Sequence, residues 1–397
     1  MKPKLIIESH VPNIPDELAQ YFEIQRLAPD EFTPEAVADA DAMIIRTRTR
    51  CNASLLSASK VRFIATATIG TDHIDLPWCA KQGITVASAP GCNAPAVAQY
   101  VMASLLALFP DGLENRTIAV VGVGHVGSIV ADWAEQLGMR VLKCDPPRAA
   151  REPDFDSRPL DEILPLADIV TFHVPHTSAG DHATHHIADA KTFSRMRNGA
   201  VFINSARGPI VNTPDLIAAI ESGEIAHAVI DCWEGEPNVS QRLLQLATIA
   251  TPHIAGYSLN GKIRATSMAV NALCEAFGVD YRMKLSIPTG AARQVTATAI
   301  ATSYDPRIDT ARLKNYRIEL PDSSETSTGK ISMDETSAEK LTSSEEWLRQ
   351  TSSEVAEKAT SSDEEAFASH FETHFASHFE SLRNNYPLRP EVPETEG

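Results

Sequence analysis

Short β-branched and apolar runs recur through the first 285 positions: KLIIE, AMIIR, FIATA, TIAVVGVG, DIVTFHV, AVFINSA and AVIDC. Stretches with helical spacing separate them, and strand–helix alternation of this kind predicts mainly parallel sheets covered by helices on both faces. The runs group into two arrays, one over about residues 1–90 and one starting at TIAVVGVG. Between them, APAVAQYVMASLLALF (94–109) is too short to cross a bilayer and reads as a long buried helix linking two lobes.

The texture changes beyond residue 285. SIPTGAARQVTATAIATSYDPRIDTARLKNYRIEL allows a few strands and a helix, whereas DSSETSTGK through KATSSDEEA is rich in Ser, Thr and Glu and reads as a solvated or disordered insert at about 322–366. In AFASHFETHFASHFESLRNNY, Phe367, Phe371, Phe375 and Phe379 recur every four residues beside His370, His374 and His378. Histidines at that spacing can share a metal ion, but a phenylalanine stripe on an amphipathic helix accounts for the period by itself. The echo of ASHFETHF in ASHFESLR is a local duplication.

A chain of 397 residues with 43% hydrophobic content is long enough for two or three domains. The net charge of −17 argues against nonspecific binding to nucleic acid or anionic membrane, and the stretch 322–366, with 12 acids and 4 bases, supplies −8 of it. MKPKLIIESH lacks the apolar core of a signal peptide, so a cytoplasmic location is the expectation. Cys51, Cys79, Cys92, Cys144, Cys232 and Cys274 contain no CxxC pair and are expected to be reduced.

VVGVGHVG places Gly122, Gly124 and Gly127 in G-x-G-x-x-G spacing between a strand and a helix. The first glycine makes the turn, the second admits a pyrophosphate to the backbone, and the third lets helix and strand pack closely. The next strand ends in Asp145, 18 residues after Gly127, where a carboxylate can bind an adenosine ribose and would repel a 2′-phosphate. NAD is therefore expected, and Arg148 is the residue that would argue for NADP.

Three further stretches each follow a predicted strand: NSARGPIVN with Arg207, DCWEGEPN with Asp231, Glu234 and Glu236, and TPHIAGYS with His253. Oxidising a secondary alcohol needs a base for the hydroxyl proton, a cation for the substrate anion and a carboxylate that tunes the base. His253, Arg207 and Glu236 are of those three types. His173, His176, His182, His185 and His186 form a second histidine group that could suggest a metal, but no metal is expected.

The order VGVGHVG, CDPPR, TFHVPHT, NSARG, DCWEGEP, TPHIAGYS resembles the D-isomer-specific 2-hydroxyacid dehydrogenases over about residues 1–280, and ATATIGTDHID, SAPGCNAPAVAQYV and CDPPRA resemble those members of the family that act on a small phosphorylated acid, which implies such a substrate here. The resemblance implies two Rossmann-like doubly wound parallel-sheet domains with a smaller C-terminal α+β region. The lobes would be a substrate lobe (1–93 with 254–285), an NAD lobe (94–253) and a dimerisation-like region (286–397). It implies Arg207 and Glu236 as catalytic, with His253 as acid and base. NAD would meet Gly122, Gly124, His125, Val126, Gly127, Asp145, Ser205, Ala206, Asp231 and Gly256, and substrate would meet Thr47, Thr68 and Tyr257. Arg46, Arg48 and Arg50 are candidates for the phosphate, with none preferred. A homodimer is expected. Gln99 stands where the family pattern has a glutamate. Another D-2-hydroxy acid as substrate, such as a phosphoglycerate, and an NAD-sensing binding protein on the same fold are the alternative readings.

Overall fold

The computed structural model of the chain describes residues 2–288, 290–315 and 374–392. Two wholly parallel sheets dominate it. The first holds β1 (Lys4–Glu8), β2 (Glu23–Leu27), β3 (Ala42–Ile45), β4 (Phe63–Thr66) and β5 (Thr85–Ala87) in the order β2-β1-β3-β4-β5. The second holds β6 (Thr117–Val121), β7 (Arg140–Cys144), β8 (Ile169–Phe172), β9 (Ala200–Asn204), β10 (Ile225–Ile230) and β11 (Ile249–Ala250) in the order β11-β10-β9-β8-β6-β7. Strands β3, β4, β6, β8 and β9 are buried at every position, as strands covered on both faces must be. The strand order reverses between β6 and β8, and ligands of open α/β sheets bind outside the carboxyl ends of the strands at such a switch point.

The helix Ala94–Leu108 joins the two sheets and is buried from Ala94 through Leu105. Among its side chains Gln99 is fully buried: its Nε2 donates to Ser303 Oγ at 2.8 Å and to the Pro390 carbonyl at 3.2 Å, while its Oε1 accepts from Arg389 Nε. After the second sheet the chain returns to the first, where Ala265, Ala269, Val270 and Leu273 of the helix Leu259–Ala276 pack into the core of β1, β3 and β4.

The described parts of residues 286–397 extend existing cores. Val295, Ile300 and Val392 pack with the interlobe helix, and Leu313, Phe375 and Phe379 join the interior of the second lobe. Phe375 and Phe379 are buried on a helix covering residues 374–384, so the phenylalanine stripe is a packing face where it is described; Phe367, Phe371, His370 and the acidic stretch 322–366 lie outside the described residues. Past that helix the chain makes a parallel bridge from Arg389 to Ser258, and Glu391 pairs with the buried Arg264. All six cysteines are free and buried. Among the described residues no helix is long and apolar enough to cross a membrane.

The Arg264–Glu391 pair ties the C-terminal segment to the first lobe inside the protein. Removing one partner of a buried pair strands a charge, so Glu391→Leu is expected to cost about 3–5 kcal/mol in urea unfolding, and the double change Arg264→Met with Glu391→Leu is expected to recover most of that loss.

Candidate active site

The glycine turn after β6 has a steric reason at its first and third glycines. Gly122 has φ +85°, and a Cβ there would meet the His173 carbonyl carbon at 2.8 Å. A Cβ on Gly127 would run into the Gly122 carbonyl, so the helix His125–Gln136 could not pack as closely on the turn; a Cβ on Gly124 would stand in open space. The turn is fixed from behind by Asp145, whose Oδ2 accepts the Val123 N–H at 2.8 Å and whose Oδ1 accepts the Arg148 N–H at 2.9 Å. The Arg148 guanidinium is turned back as well, donating to the Val123 carbonyl at 2.7 Å and lying 4.2 Å over the Phe155 ring. It is therefore engaged with the chain at the point where a 2′-phosphate would need it.

Beside this turn, at the switch between β6 and β8, lies a chamber of about 330 Å³ lined by His125, Val126, Ser205, Ala206, Asp231 and Gly256, among others. Ser205 Oγ is buried there with no hydrogen-bond partner, and buried hydroxyls are rarely left so. A glycine cradle, a carboxylate at the end of β7 and an unpaired hydroxyl in the wall fit a dinucleotide. His173 also lines the chamber; burial pushes its imidazole down to about 3, so it is neutral, and its Nε2 lies 3.0 Å from Thr171 Oγ1.

A second, larger cleft of about 600 Å³ adjoins it, and Arg207, His253, Gly256 and Tyr257 line both. The loop after β11 that carries His253 is held by the fully buried Asp231, whose carboxylate accepts from Thr251 Oγ1 (2.7 Å), the Ile254 N–H (2.7 Å) and the Ala255 N–H (3.0 Å). Asp231 thus stands in the chamber wall but spends both oxygens on the loop. His253 itself has φ +56°, a conformation that costs a non-glycine residue energy and persists only where its surroundings enforce it. That turn brings His253 Nδ1 within 2.6 Å of Glu236 Oε1. A carboxylate can only accept, so Nδ1 carries the proton and Nε2 is left for a ligand. Burial alone would lower the imidazole pKa, but the Cys232 sulfur and the Glu236 carboxylate outweigh it and hold it well above the ordinary histidine value. Burial pushes the Cys232 thiol up in turn, so Glu236 supplies the negative charge.

Arg207 follows β9, with Nη1 donating to the Ala206 carbonyl at 2.8 Å and Nε 3.9 Å from Asp72. From the first lobe, Thr47 and Thr68 reach the larger cleft; Thr68 Oγ1 is 2.6 Å from Thr66 Oγ1 and donates to the Gly70 carbonyl at 3.1 Å. The residues that the linear pattern does not single out are Lys262 and Arg383, which line the same cleft. Arg383 comes from the helix over 374–384 and lies close enough to Tyr257 and Glu236 for both to raise its own pKa, and for its charge to lower that of Glu236. FESLRNNY marks its neighbourhood, but nothing in the spacing says where that segment returns. The other histidines pair among themselves: His176 Nε2 is 3.2 Å from His185 Nδ1, His185 stacks on His186 at 4.0 Å, and His186 Nε2 is 2.5 Å from Glu234. Among the described residues no group of three potential metal ligands comes together.

A dinucleotide chamber opening onto an imidazole–carboxylate pair and an arginine defines a nicotinamide-dependent dehydrogenase of small hydroxy acids. The model of the D-isomer specific 2-hydroxyacid dehydrogenase, NAD binding domain, matches residues 99–255. Erythronate-4-phosphate dehydrogenase of Bacteroides fragilis (strain YCH46) is 45% identical over 321 residues, covering 79% of this chain and 92% of that protein. The Salinibacter ruber protein of the same name is 40% identical, covering 80% and 81%. Among solved structures, the TT0316 protein from Thermus thermophilus superposes with a TM-score of 0.60 at 25% identity, over 70% of this chain and 97% of that one. D-Lactate dehydrogenase from Aquifex aeolicus, complexed with NAD and lactic acid, gives 0.55 at 25%, over 69% and 96%. The chain belongs to the D-isomer specific 2-hydroxyacid dehydrogenase family, in the branch of its erythronate-4-phosphate dehydrogenase relatives, and its cofactor is NAD.

With Glu236 holding the proton on His253, the imidazole is expected to titrate above the ordinary value of about 6.5 when followed by proton NMR. Glu236→Gln removes the charge and is expected to move that midpoint down by about one unit or more; an unchanged midpoint would contradict the pairing.

Proposed function

We propose that the chain oxidises 4-phospho-D-erythronate at C2 to (R)-3-hydroxy-2-oxo-4-phosphooxybutanoate, a step in the making of pyridoxal 5′-phosphate. The observation that carries this reading is the His253–Glu236 pair at 2.6 Å, beside Arg207, in a cleft that shares its walls with the dinucleotide chamber. The names of the relatives, at 40–45% identity over most of the chain, supply the substrate.

When bound, NAD accepts the hydride from C2. His253 Nε2 takes the C2 hydroxyl proton as the C–H bond breaks, and Glu236 stabilises the imidazolium that results. Arg207 holds the substrate carboxylate and the carbonyl oxygen as it forms; one preorganised donor of this kind is worth about 3–4 kcal/mol in the transition state. Arg383 lowers the Glu236 pKa and so favours the ionised carboxylate that an imidazolium needs beside it. Thr47, Thr68 and Tyr257 position the substrate from the first lobe and the loop, and Gly122, Gly124, His125, Val126, Gly127, Asp145, Ser205, Ala206, Asp231 and Gly256 receive the cofactor. The same reading carries a homodimer built through the C-terminal region and action in the cytoplasm, with which six free cysteines agree.

The test is NADH formation from 4-phosphoerythronate and NAD. His253→Ala is expected to lower kcat by roughly 10²- to 10⁴-fold. Unaltered turnover would remove His253 as the base, and activity confined to 3-phosphoglycerate would overturn the substrate. Oxidation needs neutral His253, and its pKa is raised; kcat/KM for oxidation should therefore climb with pH through a midpoint above about 6.5, while reduction of the keto acid falls over the same range.

A further inference from the structure

We propose that a phosphomonoester group of the substrate is held by the Arg46 guanidinium, at the carboxyl end of β3, together with the Lys262 ammonium, in the first turn of the helix Leu259–Ala276. This rests on the reading of a phosphorylated substrate and locates the group within the larger cleft. Both residues line that cleft. Arg46 is fixed by its backbone, whose N–H donates to the buried carboxylate of Glu8 at 2.8 Å; the same Glu8 oxygen accepts from Thr49 Oγ1 at 2.8 Å, which pins the turn after β3. Its Nη1 is nevertheless buried and without a hydrogen-bond partner.

Lys262 is placed by Ser258, which caps the helix by accepting the Gly261 N–H at 2.9 Å, and its Nζ lies 5.5 Å from the centre of the Tyr257 ring. Among the described residues no carboxylate comes within ion-pair distance of either cation. Burial, and after it the charge of Arg46, push the Lys262 ammonium down to about 8. Two cations on the wall of one cleft, one of them with an unpaired buried donor, call for an anion with several acceptors, and a phosphate dianion matches that need better than a single carboxylate. The first turn of an 18-residue helix adds its own positive end.

The geography of the cleft fits the substrate's two anions. Arg207 lines both chambers, so a carboxylate held there lies next to the cofactor, as the carboxylate adjoining C2 must. Arg46 and Lys262 line only the larger cleft, away from the cofactor, where a phosphate on C4 belongs. Of the three neighbouring arginines, Arg50 does not reach the cleft and Arg48 reaches it as an exposed side chain.

The experiment compares 4-phosphoerythronate with D-erythronate, which lacks the phosphate, on wild type, Lys262→Met and Arg46→Met, with circular dichroism and NAD affinity checking that each variant is folded. Each change is expected to raise KM for the phosphorylated acid roughly 10- to 100-fold and to leave kcat/KM for D-erythronate within about threefold. An equal loss on both substrates, or an unmoved KM for 4-phosphoerythronate, would overturn the proposal. Inactivity of the wild type on 4-phosphoerythronate would sink the substrate reading alone. The site is then judged by calorimetric titration with inorganic phosphate: binding by the wild type that Lys262→Met abolishes supports it, and binding that survives the change, or no binding at all, overturns it.

Discussion

The loop that carries His253 depends on being gripped from two sides. Asp231, buried at the end of β10, accepts the N–H groups of Ile254 and Ala255, while Arg389, buried near the C-terminal end of the described chain, donates to the carbonyls of the same two residues. Backbone polar groups inside a protein need partners, and here a carboxylate and a guanidinium supply them on opposite faces of two residues. With Ile254 and Ala255 so fixed, His253 is held in its left-handed conformation and its ring is aimed at Glu236. Tyr100 from the interlobe helix completes the support by hydrogen-bonding Thr251 at 2.8 Å. An acid–base group on such a loop needs no rearrangement to reach its carboxylate.

Local charge departs from the overall balance. A chain with a net charge of −17 gathers Arg46, Arg48, Arg207, Lys262 and Arg383 around one cleft. Solvent screens the distant acids over about 8–10 Å, whereas charges on the walls of a partly enclosed cleft act on a bound anion at short range. Glu236 is set against this field: burial raises its carboxyl, but His253 and Arg383 more than reverse that, so it stays ionised beside the imidazole. The cluster therefore attracts a small dianion and keeps a negative charge where an imidazolium has to form.

Much of this was legible along the chain. The runs AMIIR, FIATA and TIAVV read as strands because a strand buried on both faces must be apolar throughout, and G-x-G-x-x-G followed by Asp145 reads as a dinucleotide turn because Gly122 and Gly127 each relieve a separate clash while Gly124 leaves the turn open to a ligand. Arg207, Glu236 and His253 could be named because each follows a strand, where open sheets collect ligands. Lys262 and Arg383 could not. Lys262 looks like any first-turn lysine of an amphipathic helix until it is found lining the same cleft as Arg46, and Arg383 sits in a phenylalanine-striped helix whose period reports only that one face is packed.

By itself, then, the sequence determined the class of fold, the cofactor and the kinds of group available for chemistry, since periodicity, glycine spacing and residue type are local properties. Tertiary structure decided the rest. Whether Arg46 or Arg48 turns inward, whether Asp231 spends its carboxylate on the loop, and whether Arg383 returns to the cleft and Arg389 to the His253 loop all depend on contacts between residues remote in the chain. Such contacts are selected by the packing of two lobes and a returning C-terminal segment, and no local pattern records them.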